Sequence, residues 1–290
     1  MELQGIHIPL VTPFAADGSL ALDALERLAR ETLDAGAAGL VALGTTGEPA
    51  ALEPDERAAV IDVCRRVCAA YGVPLTVGAG GGATGPAERS LAELAGVADA
   101  ALVTVPAFLR PGPDGVLAHF TRLAAHSPVP LVVYHIPYRT GQSLGADTLR
   151  ELLALPGVAG VKYAAGGIDE QTVALMAEGP SGVMAGDDLY LSPLLAMGAA
   201  GGILASAHLA TGRFVELAEA WRKGDVERAR ELGHRLARLS AAAFAEPNPT
   251  VIKGVLHAQG RIPTPDVRLP LLPAAAEPVR RALEAARALG

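Results

Sequence analysis

Between positions 6 and 205 one pattern recurs about eight times: a short apolar run, then a stretch with helical spacing, at intervals of roughly 25 to 30 residues. The apolar runs fall at 6–11, 39–43, 74–79, 101–105, 130–135, 158–163, 182–185 and 201–205. Runs that are apolar throughout, with helices between them, imply parallel strands covered on both faces. Eight such units close naturally into a barrel, so the expected fold class is α/β, a (β/α)8 TIM barrel. After the eighth unit strand candidates stop. Apolar residues recur at helical spacing over 214–244 with a break at Gly224-Asp225; prolines 247, 249, 263, 265 and 270 punctuate short segments, and a last helix spans about 277–289. The expected organisation is a barrel domain over 1–224 and a helical domain over 225–290.

Composition narrows the partners. The chain has 290 residues, half of them hydrophobic, and a net charge of −7 with no clustered basic run. That balance argues against nucleic acid or an anionic membrane surface. Cys64 and Cys68 lie four apart in a helical pattern with no further ligands at metal spacing, and they read as small buried residues. The lack of a disulfide framework suggests a cytoplasmic location. The start, Met1-Glu2-Leu3-Gln4, lacks the build of a signal peptide. The uncharged stretch 189–212 contains Pro193 and few strong hydrophobes, so a buried helix, turn and strand explain it better than a membrane span.

Arginine is plentiful, yet only three lysines occur, Lys162, Lys223 and Lys253. Arginine keeps its proton and cannot offer a free amine to a carbonyl, whereas burial among apolar neighbours favours the neutral, nucleophilic form of an amine. Lys162 ends the apolar run Val158-Ala-Gly-Val-Lys162-Tyr163, so it reads either as a Schiff-base amine or as a lysine snorkelling from a strand end. In a barrel the residues after each strand gather at one rim. There the sequence offers Thr12; Thr45, Thr46 and Glu48; Phe108 and Arg110; Tyr134, His135, Tyr138 and Arg139; Lys162; and Asp187 and Asp188. Gly44-Thr-Thr-Gly47, before a helix, supplies backbone N–H groups and hydroxyls for a small carboxylate, or is an ordinary turn. Tyr134 can pass protons beside the amine or serve as core; Arg139 can clamp a second carboxylate or pair on the surface. Glu48 reads as a loop-bracing hydrogen-bond partner. Asp187-Asp188 finds no further ligand at metal spacing, and His7, His119, His126, His208, His234 and His257 are scattered, with structural or surface roles.

With these residues in place, the chain resembles the dihydrodipicolinate synthase and N-acetylneuraminate lyase family of class I, pyruvate-handling lyases. The resemblance rests on Gly44-Thr-Thr-Gly-Glu48, Tyr134-His-Ile-Pro-Tyr-Arg-Thr-Gly141, Gly160-Val-Lys162, Gly186-Asp-Asp188, Phe244-Ala-Glu-Pro-Asn-Pro249 and Arg268-Leu-Pro-Leu271, in order along nearly the whole chain. It implies a homotetramer with small-molecule substrates, no cofactor or metal, an imine between Lys162 and pyruvate, and the pyruvate carboxylate on Thr45 and Thr46. Tyr134 and Thr45 would relay protons, and Gly44, Gly186, Ile203, Phe108, His135 and Tyr138 would line the substrate site. The pair Thr45-Thr46 and the run Pro137-Tyr-Arg-Thr-Gly141 resemble the synthase branch of lysine biosynthesis, in which the position of Arg139 binds aspartate semialdehyde.

Two departures qualify what the resemblance implies. The synthase relay uses a second tyrosine, where this chain has Ala107 and Phe108, so Tyr138 or His135 is expected to substitute. The positions matching the lysine-inhibition cleft are Pro49, Ala50, Pro54, Arg57, Gly82, Pro86 and Ala107, few of which can hold an amino acid's charges, so L-lysine is expected not to inhibit. Three activities follow: a synthase condensing pyruvate with aspartate semialdehyde; an aldolase cleaving a 2-keto-3-deoxy sugar acid or 4-hydroxy-2-oxoglutarate; and a pyruvate-binding protein that forms the imine without turnover.

Overall fold

The structure, a computed structural model, describes residues 3–290. Met1 and Glu2, part of the start read above against a signal peptide, lie outside the described residues. Strands and helices alternate as the periodicity predicts: β1 (Gly5–Pro9), α1 (Leu22–Asp34), β2 (Gly39–Ala42), α2 (Pro54–Tyr71), β3 (Leu75–Ala79), α3 (Thr84–Ala92), β4 (Ala100–Thr104), α4 (Gly112–His126), β5 (Leu131–His135), the one-turn α5 (Pro137–Thr140), α6 (Ala146–Ala154), β6 (Val158–Tyr163), α7 (Glu170–Ala177), β7 (Val183–Ala185), α8 (Leu191–Ala196) and β8 (Gly201–Ile203). The strands form a closed barrel in sequence order, with parallel pairing at every recorded neighbour. Closure leaves no exposed edge for sequences as apolar as β2 and β5, which are buried along their whole length.

One compact unit contains Thr76–Ile203 together with the start of the chain through Gly5. In it β5 and β6 pair with Tyr134 opposite Lys162 and His135 opposite Tyr163. Partners directly across a pair share a face and successive residues alternate, so Tyr134 and Lys162 point one way and His135 and Tyr163 the other. The second face is tied to α7: the Tyr163 hydroxyl lies 2.9 Å from Thr172 Oγ1. Asp169 caps that helix, its carboxylate accepting from the Thr172 N–H at 2.8 Å.

The other unit contains Ile6–Leu75 and Leu204–Gly290. After β8 come α9 (Thr211–Lys223), α10 (Val226–Ala243), α11 (Thr250–Ala258) and α12 (Ala276–Arg287). The expected break is there: Gly224 stops α9 at φ +76, a left-handed turn that suits glycine, and the Asp225 carboxylate starts α10 by accepting from the Arg228 N–H at 3.1 Å. Helix α11 differs from expectation, because the prolines flank it rather than interrupt it. Val251, Ile252, Val255 and Leu256 form its fully buried stripe, and it packs on α12 as α10 packs on α9 and α12. In α2, Pro54 occupies the first turn and Glu53 with Glu56 closes a capping box. Cys64 and Cys68 on that helix are free and buried, and burial pushes the Cys64 thiol well up. Residues 189–212 hold α8 and β8 with a short 3-10 turn before the helix and another after the strand, and no helix among the described residues is long and apolar enough to cross a membrane.

Candidate active site

Lys162 stands at the C-terminal end of β6 and is 5% exposed. Its Nζ lies 4.3 Å from the centroid of the ring of Tyr134, which stands near the end of β5 on the same face and is also buried. The electron-rich ring face favours positive charge on that nitrogen. A ring face in that place would also stabilise the cationic imine that an amine forms with a carbonyl. The stem of the lysine passes Gly186, the residue after β7. A Cβ built there would sit 2.9 Å from Lys162 Cγ and 2.9 Å from Ala164 Cβ, so this position must lack a side chain for the lysine to lie as it does. Asp187 follows, its carboxylate accepting from the Gly166 N–H at 2.6 Å. Burial raises its carboxyl above the usual carboxylate range, while the Gly166 N–H and the Lys162 charge pull it back.

The turn after β2 is built differently. Thr45–Gly47 form one 3-10 turn between Leu43 and Glu48, both at φ +54. Side chains from other segments of the same unit hold it. The Thr12 hydroxyl donates to the Gly47 carbonyl at 2.8 Å, and Asn248 Nδ2 donates to Thr46 Oγ1 at 3.0 Å. Lys253 Nζ donates to Glu48 Oε1 at 2.8 Å, and the Arg268 N–H to Glu48 Oε2 at 3.0 Å. Lys253 is fully buried and Glu48 nearly so. The Phe14 ring lies 4.1 Å from Lys253 Nζ and 4.6 Å from Arg268 Cζ, so both cations are packed on one aromatic. Glu48 is thus the loop brace that its sequence position suggested. Thr46 and Gly44 are buried and Thr45 is half-buried.

The remaining expected residues divide. Ile203 is buried at the end of β8. Arg139 and Tyr138 are exposed on α5, the Arg139 Cζ resting 5.3 Å from the Tyr138 ring centroid. Phe108 is 98% exposed at φ +66. The expectation that His135 relays protons is corrected. As the neighbour of Tyr134 in β5 it faces the opposite side, its ring 5.6 Å from that of Tyr163, and burial lowers its pKa to about 4. A neutral imidazole packed behind the strand has no path to the amine in front of it. His208 is structural as expected: it accepts from the Val11 N–H at 3.3 Å and donates to the Ala205 carbonyl at 2.8 Å. No sequence pattern marks Asn248, Lys253 and Arg268 as partners of this turn. The scarcity of lysine that drew attention to Lys162 applied equally to Lys253. Among the described residues no group of three or more His, Cys, Asp or Glu side chains is placed to hold a metal ion.

Known proteins resemble the chain over nearly its whole length. A sequence model of the Dihydrodipicolinate synthetase family matches residues 2–288. The 4-hydroxy-tetrahydrodipicolinate synthase 2 of Clostridium acetobutylicum is 35% identical over 276 residues, covering 94% of this chain and 96% of its own. Among solved structures, the chloride-inhibited dihydrodipicolinate synthase of Acinetobacter baumannii complexed with pyruvate is 33% identical with a TM-score of 0.92, covering 98% of this chain and 99% of that one. A monomeric dihydrodipicolinate synthase variant matches with a TM-score of 0.93 at 29% identity, covering 98% of this chain and 96% of its own.

Proposed function

Because the chain belongs to the dihydrodipicolinate synthetase family, we propose that it is a class I lyase that condenses pyruvate with aspartate semialdehyde, a 4-hydroxy-tetrahydrodipicolinate synthase. The observation that carries the reading is the buried Lys162 amine set 4.3 Å from the Tyr134 ring at paired strand ends. The amine adds to the pyruvate carbonyl and water leaves, giving a protonated imine. That imine draws electrons from the pyruvate methyl group, a proton departs, and the resulting enamine carbon attacks the aldehyde. The amino group of the aspartate semialdehyde portion then attacks the imine carbon, closing the ring and expelling the Lys162 amine. Tyr134 and Thr45 carry protons during formation and collapse of the carbinolamine. Thr45 and Thr46 hold the pyruvate carboxylate, with Gly44 giving backbone access, and the Arg139 fork holds the carboxylate of the aldehyde. Gly186, Ile203 and Phe108 border the substrates, and Tyr138 takes over the proton exchange that Phe108 cannot perform.

The test is twofold. Borohydride reduction with pyruvate should trap an adduct on Lys162, and turnover with pyruvate plus aspartate semialdehyde should exceed pyruvate release from a panel of 2-keto acids. The reverse preference, cleavage of a 2-keto-3-deoxy sugar acid or of 4-hydroxy-2-oxoglutarate, is a second reading, favoured by the absence of a phenol at Phe108. Adduct formation without turnover on any aldehyde would point to pyruvate binding alone. The chain works in the cytoplasm as a homotetramer, a proposal that the exposed Phe108, Leu109 and Tyr138 support. Sedimentation giving a single-chain mass at micromolar concentration would rule out the tetramer. Its barrel ends near position 224, and L-lysine does not inhibit it; a saturable inhibition curve with lysine would contradict the latter.

A further inference from the structure

The turn carrying Thr45 and Thr46 is gripped at two points, from the segment just before α11 and from α11 itself, and we infer that Asn248 and Lys253 are positioning residues that make Thr46 a hydrogen-bond donor to the substrate carboxylate. This role rests on the reading of Thr45 and Thr46 as the carboxylate site. A hydroxyl has one proton to give and two lone pairs to offer. Asn248 Nδ2 donates to Thr46 Oγ1 at 3.0 Å, so a lone pair is taken and the proton is left for an acceptor. Thr46 is 2% exposed, so few water molecules compete for that proton, and an anion entering the turn receives it. Asn248 Oδ1 is buried without a partner among the described residues, so Thr46 is the contact that fixes the amide.

The start of α11 is itself rigid. The Thr250 hydroxyl and N–H both donate to the Pro247 carbonyl, at 2.8 and 3.0 Å, on either side of Asn248. Further along the helix, Lys253 reaches Glu48, the residue that closes the turn in a left-handed conformation. Lys253 acts twice there. It secures a strained backbone position that would otherwise relax, and it neutralises a carboxylate close in sequence to Thr46. An uncompensated Glu48 would repel the anion that the turn has to receive.

The experiment compares imine formation with pyruvate and with methyl pyruvate, a neutral ester with the same ketone, by borohydride trapping on the full chain, alongside steady-state turnover. Asn248→Ala should raise the half-saturating pyruvate concentration about tenfold, the effect of one hydrogen bond to a charged group. Asn248→Asp should raise it about a hundredfold, because a carboxylate takes the Thr46 proton and adds repulsion. Both should leave kcat within about twofold and methyl pyruvate unaffected, since losses in binding alone appear in KM. Lys253→Met should also raise the pyruvate value selectively; if it fails to fold, the Asn248 variants carry the test. Arg228→Ala is the control. It removes a 2.7 Å bond to Glu216 between α10 and α9 and should lower the melting temperature without changing the preference for pyruvate. An unchanged ratio of pyruvate to methyl pyruvate in both Asn248 variants would overturn the positioning role while leaving the functional reading intact. No adduct in the unsubstituted chain would overturn both.

Discussion

The turn after β2 and the loop after β4 use the same backbone device and finish it differently. Each holds two non-glycine residues at positive φ: Leu43 and Glu48 at +54 in the first, Phe108 at +66 and Arg110 at +46 in the second. Each such position costs on the order of 1–3 kcal/mol and persists only where its surroundings enforce it. In the first, enforcement comes from within the chain, because Glu48 is buried and receives both Lys253 Nζ and the Arg268 N–H. In the second, Phe108 and Leu109 stand 98% and 68% exposed. The lesson is that a single copy of this chain completes its proposed carboxylate turn but not the loop where the family's relay tyrosine would stand. That is why the loop, and not the turn, is the place to look for a contact between copies.

The largest effect expected from breaking this contrast is on stability. Lys253→Met leaves Glu48 buried without its ammonium partner and should cost about 3–5 kcal/mol in urea unfolding. A loss below about 1 kcal/mol would mean that the brace is decorative. Acid should act next. Burial lowers His208 to about 4 and His135 to about 4, from the ordinary 6.5. Each imidazole is neutral in the folded chain while its unfolded counterpart takes a proton below 6.5. The associated stability is therefore complete above pH 6.5 and is lost as pH falls toward 4, by roughly 3 kcal/mol for each group. His208 belongs to the braced region, since it accepts from the Val11 N–H beside Thr12, whose hydroxyl holds Gly47. His208→Gln should flatten the pH dependence of unfolding between pH 6.5 and 4, and an unchanged slope would mean that the His208 imidazole does not contribute to it.

The smallest effect on folding is expected in the unbraced loop. Phe108→Asp places a charge on a fully exposed position and should change the unfolding free energy by less than about 0.5 kcal/mol. It should nonetheless weaken association measurably by sedimentation at micromolar concentration. If Phe108→Asp destabilises the single chain instead, the loop is supported internally and the comparison with the β2 turn fails.

The legible part of this molecule is the part governed by period. Apolar runs at regular intervals gave the barrel, and alternation along β5 and β6 put Lys162 and Tyr134 on one face. The same alternation, applied to His135 as the neighbour of Tyr134, would have excluded it from the relay without any coordinates. What escaped was non-local. The partners of Glu48 lie at positions 253 and 268 and the partner of Thr46 at 248, about two hundred residues away, and no periodicity links them. Helix α11 was hidden by prolines that mark its flanks, since proline before a first turn and proline within a helix look alike until the caps are known.

The most direct test of the central claim is mass spectrometry of the chain reduced with borohydride in the presence of pyruvate. The account predicts one reduced pyruvyl adduct per chain, on the peptide carrying Lys162, and none in Lys162→Arg. An adduct on Lys223 or Lys253, or full turnover by Lys162→Arg, would contradict it.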